Sequence, residues 1–189
     1  MKYLIPALRF KLFMTLLLGL IYPFAMTGIS QVIFPRQASG DFLSRDGKII
    51  IGSKLIGQNF EKPEYFWPRP SAVGFNLPSG GSNLGPTSAD LKKTFEERRL
   101  KMKAAHPDQT AEPPQELLFA SGSGVDPQIS PEAALYQASR IAKARTMPVE
   151  QIQKMIQQMT EERQLGILGE RTVNVLVLNL ALDQMSQSK

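Results

Sequence analysis

The chain has 189 residues, no cysteine and a formal net charge of +5. The lack of cysteine excludes disulfide bonds and thiolate metal ligands. Three of the 22 basic side chains and none of the 17 acidic ones precede residue 35, so the rest of the chain holds 19 basic against 17 acidic side chains. This near balance excludes the strongly positive surface that binds nucleic acid.

The most apolar segment is Leu12 to Phe34, a run of 23 residues without a charged side chain or a histidine. A bilayer core about 30 Å thick needs roughly 20 apolar helical residues, so this run is long enough to span it. A cleaved signal peptide is the alternative, but its apolar region usually has about 7 to 15 residues and ends in small residues. The sequence therefore favours an uncleaved transmembrane helix over residues 12–34, kinked at Pro23.

The charges that flank this helix predict its direction. Lys2, Arg9 and Lys11 precede it, whereas the basic residues that follow it are accompanied by acidic ones. Because cytoplasmic flanks are enriched in lysine and arginine, residues 1–11 are expected in the cytoplasm. Residues 35–189 are then expected to form a single extracytoplasmic domain.

The first half of this domain predicts short strands and loops. Asp46-Gly47 is a turn signal, and glycines punctuate the apolar run that follows it, so short strands are expected there. Three prolines in Phe60–Ala72 exclude a regular helix or a central strand, and the aromatic residues among them predict an ordered loop. Leu77–Ser88 is rich in Gly, Ser and Pro and is compatible with a linker or a shaped loop.

The second half predicts helices. Ser88 as an N-cap and apolar residues near helical spacing predict a helix over Ser88–Lys103. Ser130, followed by a proline at the first helical position, predicts a second over Ser130–Arg145. Apolar residues at helical spacing from Val149 predict a third, ending near Gly166.

Residues 173–182 are apolar except for Asn174 and Asn179. Such a run is compatible with a buried helix or a buried strand, and Thr172 as a cap together with the leucine-rich second half favours the helix. Buried amides need partners, so we expect the two asparagines to fix neighbouring loops by hydrogen bonds. The expected fold class is α+β, one transmembrane helix followed by a domain of short strands, ordered loops and about three to four helices.

Candidate catalytic residues are few. His106 is the only histidine and lies in a hydrophilic segment, so we expect a solvated loop residue rather than a catalytic base. Asp126, Glu132 and Asp183 are isolated acids that we interpret as caps or surface residues. The patterns of a P-loop, a zinc protease and an α/β-hydrolase do not occur. We therefore predict no catalytic residue and no metal site.

Four segments carry a resemblance to a known family. They are GSKLIGQNFEKPEYFWPRPSA (52–72), SGGSNLGPTS (79–88), SGSGVDPQISPEAALYQASRIAKAR (121–145), and LGILGE with VNVLVLNLALD (165–183). In these segments the chain resembles the C subunits of the Kdp-type high-affinity potassium-transporting ATPases of bacteria. With the N-terminal anchor, the resemblance covers nearly the whole chain.

The resemblance implies a non-catalytic subunit of an ATP-driven potassium uptake complex in the bacterial inner membrane. Its implied partners are a channel-like subunit that carries the potassium, a P-type ATPase subunit and a small single-span subunit. The C subunit of the family is needed for assembly and has been proposed to act as a catalytic chaperone that raises the ATP affinity of the ATPase subunit. Gln137 is the candidate residue for this effect. An extracytoplasmic domain is across the bilayer from the nucleotide, so the effect of the C subunit on ATP would have to be allosteric.

The candidates for docking on a partner are Tyr65, Phe66 and Trp67, in the loop at 60–71, and Asn83. Aromatic side chains at a surface are enriched among interface hot spots. The alternative is that the three aromatic residues fill the domain's own core. The alternative function is a freestanding membrane-anchored extracytoplasmic enzyme or solute-binding module, and an enzyme should show a clustered acid, base or nucleophile.

Overall fold

The computed structural model describes residues 2–45 and 49–187. The turn predicted at Asp46-Gly47 lies outside these residues. The chain forms two compact units, Met1–Ser53 and Lys54–Lys189.

The first unit contains one long apolar helix, Leu4–Ile33, with 30 residues and a mean hydropathy of 1.9. Among the described residues, it is the one helix long and apolar enough to cross a membrane. It consists of α1 (Leu4–Leu16), a wider turn at Leu17–Ile21 and α2 (Tyr22–Ile33). The helix starts before the charge-free run at Leu12, because lysine and arginine are good helix formers. The membrane boundaries at residues 12 and 34 stay a prediction.

The wider turn lies directly before Pro23. There the Tyr22 N–H donates to the carbonyl of Leu17, five residues back instead of four. A proline has no N–H to donate, and its ring clashes with the carbonyl four residues back in a regular helix. A turn of larger diameter accommodates the ring, so the predicted disturbance takes the form of a widened turn.

A short helix and a hairpin complete this unit. Helix α3 (Pro35–Ala38) follows α2, and β1 (Phe42–Arg45) pairs antiparallel with β2 (Ile49–Ser53). The short strand predicted after the turn signal is confirmed as β2. Strand β1 was not predicted, because its four residues carry no clear alternation.

The second unit is built mainly from four helices. They are α4 (Ala89–Ala105), α5 (Pro131–Arg145), α6 (Val149–Met159) and α7 (Val175–Gln187). A two-residue antiparallel ribbon joins β3 (Gln128–Ile129) to β4 (Val173–Asn174). The predicted α+β class, with one N-terminal apolar helix, is confirmed.

Helices α4 and α5 begin at the predicted caps. The Ser88 hydroxyl accepts the N–H of Leu91 at 3.3 Å, and the Ser130 hydroxyl accepts the N–H of Ala133 at 3.1 Å. Each hydroxyl satisfies one of the free N–H groups of the first helical turn. The Ser130 N–H also donates to the Glu116 carboxylate, which ties the start of α5 to the preceding loop.

The core of the second unit lies between α5, α6 and α7. Helix α5 is buried along most of its length, and its alanines let the neighbouring elements approach closely. The largest fully buried apolar side chains come from all three helices, from β3 and β4, and from the 60–71 loop: Phe66, Ile129, Ile141, Ile152, Ile156, Val173, Leu178 and Leu182. The loop therefore contributes Phe66 to the core.

Two helix boundaries differ from the prediction. Helix α6 ends at Met159 and not near Gly166, because Thr160 is extended and the following residue, Glu161, pairs its backbone with Thr172. The run at 173–182 begins as strand β4 and continues as α7. Thr172 is not the cap of α7, since Asn174 accepts the N–H of Val177 at 3.1 Å.

Candidate functional site

The loop Phe60–Ser71 has no regular secondary structure, so its backbone groups need partners from elsewhere. The Asn179 side chain on α7 accepts the N–H of Phe66 at 2.8 Å and donates to its carbonyl at 3.0 Å. The Gln137 side chain on α5 accepts the N–H of Trp67 at 2.8 Å and donates to its carbonyl at 3.1 Å. Each amide thus pairs with one loop residue as a neighbouring strand would.

Arg140, one turn after Gln137 on α5, also binds this loop. Its guanidinium donates to the carbonyls of Pro63 and Tyr65, the latter at 3.0 Å, and to the Gln137 amide oxygen at 2.8 Å. Burial lowers the pKa of Arg140 to about 10, which leaves it charged at neutral pH. No described residue places a carboxylate within 4.0 Å of it. The charge is therefore stabilised by neutral acceptors, by the face of Trp67, whose ring centroid is 4.2 Å away, and at longer range by Glu64.

His106 is buried, so the prediction of a solvated loop residue is wrong. Its Nδ1 lies 2.7 Å from the carbonyl of Met102, and its Nε2 lies 3.0 Å from the Nε of Arg140. A carbonyl only accepts and a guanidinium only donates, so Nδ1 carries the proton and the ring is neutral. Burial lowers the pKa of His106, the Met102 carbonyl opposes this shift, and the charge of Arg140 adds to it.

Asp183 is not an isolated surface acid, contrary to the interpretation from the sequence. It accepts the Tyr65 hydroxyl at 3.1 Å and the Arg145 guanidinium at 2.8 Å. Arg145 also donates to the carbonyl of Glu64 at 2.7 Å and lies over the Tyr65 ring. The outer end of the loop is thus held by a partly buried ion pair.

Asp126 has a similar role and is also not isolated. It pairs with Arg69 at 2.8 Å and accepts the N–H of Gln128 at 3.0 Å. Glu132 is exposed in the first turn of α5, where a negative charge interacts favourably with the helix dipole, as predicted.

The docking candidates differ in exposure. Phe66 is 0% exposed and belongs to the core, so it offers no surface to a partner. Tyr65 and Trp67 are half-buried, so part of each side chain can reach a partner. Asn83 is exposed and has a φ of +53°, a left-handed conformation that asparagine tolerates. The docking roles of these residues stay predictions.

The segment Leu77–Ser88 is a shaped loop and not a linker. It packs so closely on the loop at 121–124 that a Cβ on Gly124 would lie 2.5 Å from the carbonyl oxygen of Gly80. Gly124 also has a φ of +69°, so only glycine fits there without strain.

The sequence did not single out Arg140 or Arg145. A signal was present, because Arg140 lies three residues after Gln137 and therefore on the same face of α5. The other buried residues of α5 are alanines, Tyr136 and Ile141. A charged side chain on an apolar helix face indicates a buried partner.

In the described ranges 2–45 and 49–187, no three His, Asp or Glu side chains lie close enough together to hold a metal ion.

Comparison with known proteins connects this domain to a family. A family model described as "KdpC: K+-transporting ATPase, c chain" matches residues 4–184. The chain belongs to the KdpC family. The match begins within the first turn of α1 and ends within α7.

Relatives of this KdpC-family chain are similar along nearly their full lengths. A protein of Polaromonas naphthalenivorans is 50% identical over 95% of this chain and 93% of its own. Proteins of Janthinobacterium sp. and Geotalea uraniireducens are 49% and 48% identical, over 95% and 99% of this chain and 96% and 100% of their own. Each of the three is named potassium-transporting ATPase KdpC subunit.

The buried neutral His106 predicts a loss of stability in mild acid. Its pKa is lowered from the ordinary value of 6.5, so below that pH the unfolded chain binds a proton that the folded chain does not. Its contribution is therefore fully present above pH 6.5 and is lost as the pH falls toward the folded pKa. The loss should reach at most about 1.4 kcal/mol per pH unit.

The measurement is urea unfolding of the full chain in detergent, between about pH 8 and about pH 5.5, where carboxylates titrate little. His106 is the only histidine, so a chain without a histidine tag has no other imidazole to titrate. His106→Gln is the control and should show no such slope. If wild type and His106→Gln lose stability in parallel, the histidine is not the cause.

Proposed function

We propose that this chain is the non-catalytic C subunit of an ATP-driven, high-affinity potassium uptake complex of the bacterial inner membrane. The observation that carries the proposal is the family match over residues 4–184, with relatives named potassium-transporting ATPase KdpC subunit. The proposed partners are a channel-like subunit that carries potassium, a P-type ATPase subunit and a small single-span subunit. The proposed role is assembly of these subunits.

The alternative, a freestanding anchored enzyme or solute-binding module, is less well supported. The relatives are named as subunits, which argues for a chain that works with others. The buried polar side chains most suited to chemistry, His106 and Arg140, are bonded to each other, and Arg140 also to the loop. This geometry supports a role in holding the loop in position.

We propose that the domain docks through the outer edge of the 60–71 loop, where the rings of Tyr65 and Trp67 are half-buried. The amides of Gln137 and Asn179 already order this loop in the free chain. A surface that is ordered before binding loses less conformational entropy on association. This supports the loop as a docking element.

An effect on ATP affinity is proposed to be indirect. The Gln137 side chain is 0% exposed, and its oxygen accepts from both Trp67 and Arg140. Its nitrogen donates to the carbonyls of Trp67 and Ala133. A nucleotide would reach this amide only if the loop left its place. Gln137 is therefore proposed to act on ATP by holding the docking loop, across the bilayer from the nucleotide.

The proposed orientation places the N-terminus in the cytoplasm. Lys2, Arg9 and Lys11 precede the apolar part of the helix, whereas Arg36 after it is paired with Asp41 at 2.9 Å. The uncompensated positive charge lies on the N-terminal side, which supports this direction.

Cysteine labelling tests the orientation, because the chain has no cysteine of its own. Gln158→Cys, at an exposed position of α6, should react with a membrane-impermeant maleimide added to intact spheroplasts. Lys2→Cys is the matched control and should react only after the membrane is permeabilised. The reverse pattern would overturn the proposed orientation and bring the domain to the side of the nucleotide.

Omission of the chain tests its role. The genes for the three proposed partner subunits are expressed with and without it, and we expect an assembled complex with potassium-stimulated ATP hydrolysis only when it is present. A complex of the same composition and activity formed without the chain would contradict the assembly role.

Two loop variants then separate an indirect from a direct effect on ATP. Gln137→Ala and Asn179→Ala each remove one amide side chain that bonds to the loop, but only Gln137 is a candidate for ATP contact. An indirect effect predicts that both variants raise the KM for ATP of the complex. If Gln137→Ala alone raises it, Gln137 acts on the nucleotide directly.

A further inference from the structure

A cleft of about 270 Å³ lies beside the 60–71 loop and is referred to here as the Trp67 cleft. The loop lines it with Trp67 and Phe60, and helix α4 lines it with Met102. Helix α4 also contributes Arg98 and Lys101, which lie three residues apart and therefore on one helix face. The cleft thus combines apolar walls with two cations.

These two cations lack the carboxylate partners that their neighbours on α4 have. Arg99 and Lys103 both pair with Glu112. In contrast, no carboxylate of the described part of the chain lies within 4.0 Å of Arg98 or Lys101. Glu97 interacts with Arg98 at longer range, and the two cations still give the cleft an excess of positive charge.

Arg98 is the more buried of the two cations. One of its guanidinium nitrogens donates to the carbonyl of Leu118 at 3.0 Å, and burial lowers its pKa. Lys101 is exposed at the rim, with its ammonium group 5.4 Å from the centroid of the Trp67 ring. A carboxylate between them would meet the Lys101 ammonium and a guanidinium whose other N–H groups have no hydrogen-bond partner in the described part of the chain. Both groups are strong donors to an anion.

Arg69 is the third cation that lines the cleft. Its Nη1 is paired with Asp126 at 2.8 Å, so most of its charge is already compensated. Glu61, an exposed residue, is the one acid that lines the cleft. The lining therefore has an excess of positive charge.

The size of the cleft limits what it can hold. Pockets for drug-sized molecules have volumes of roughly 300 to 1,000 Å³, so a cleft of about 270 Å³ suits one or two side chains better than a whole nucleotide. The aromatic and methionine walls suit an apolar side chain next to the acidic one. Both properties point to a short segment of polypeptide.

We propose that the Trp67 cleft receives an aspartate or glutamate of a partner subunit, flanked by an apolar residue, with its carboxylate between Arg98 and Lys101. The partner is a subunit of the same complex, so this inference rests on the proposed function. It adds to that proposal the site at which the docking loop and α4 together bind the partner.

The test is a charge reversal at the rim, Lys101→Glu. Lys101 is exposed and has no ion pair in the described structure, so the variant should fold. The matched control is Lys93→Glu, an exposed lysine of the same helix that does not line the cleft. The full tagged chain is titrated against the co-expressed partner subunits in detergent, and the amount of copurified partner gives an apparent Kd.

We expect Lys101→Glu to raise the apparent Kd about tenfold at low salt, with a smaller effect at high salt, because rim charges are screened. Lys93→Glu should change it less than about twofold. Equal affinity of the two variants would overturn the proposal. If no subunit copurifies even with the wild-type chain, the proposed function fails as well, so the two failures are distinguishable.

Trp67 gives a second readout, because it is the only tryptophan of the chain. Titration of the full chain alone with MgATP should leave its fluorescence unchanged. Saturable quenching at micromolar MgATP that Lys101→Glu abolishes would mean that the cleft binds a nucleotide, and it would overturn the proposal of an acidic side chain.

Discussion

Two buried amide side chains, from Gln137 and Asn179, take the place of a β-strand for a loop that cannot form one. Prolines at 63, 68 and 70 prevent the loop from pairing as a regular strand, yet Phe66 is fully buried in the core. A buried backbone group without a partner costs about 1 to 3 kcal/mol, and the two amides satisfy four such groups. The position of the loop between α5 and α7 depends on these bonds.

Arg140 connects this arrangement to the end of α4. It is bonded to loop carbonyls on one side and to His106, which directly follows α4, on the other. A buried cation with neutral partners is costly to desolvate, so it is held only while all of its acceptors remain in place. Displacement of the loop would therefore disturb Arg140, His106 and the helix that lines the Trp67 cleft. Through this connection, a displacement of the loop on docking would change the position of groups elsewhere in the domain.

The features that the sequence predicted correctly depend on residues close to one another along the chain. The caps at Ser88 and Ser130, the ordered proline-rich loop and the need of Asn174 and Asn179 for partners follow from local chemistry, and the structure confirms them. The identity of the partners did not follow, because Asn179 and Phe66 are 113 residues apart. His106 was misjudged for the same reason.

The end of α6 was missed because a competing pairing, between Glu161 and Thr172, is not visible in the helical spacing. Family membership was predicted from four segments, nearly all of whose residues belong to the second unit. The roles of Tyr65, Trp67, Asn83 and Gln137 in docking or in ATP affinity stay predictions, because they depend on chains that lie outside this protein.

Amide hydrogen exchange of the full chain tests most directly whether the two side-chain amides hold the loop. If they do, the N–H groups of Phe66 and Trp67 should exchange as slowly as those in the middle of α5, because both open only when the core opens. The N–H of Leu84, in an exposed loop, should exchange much faster. Exchange of Phe66 and Trp67 as fast as that of Leu84 would contradict the central role assigned to Gln137 and Asn179.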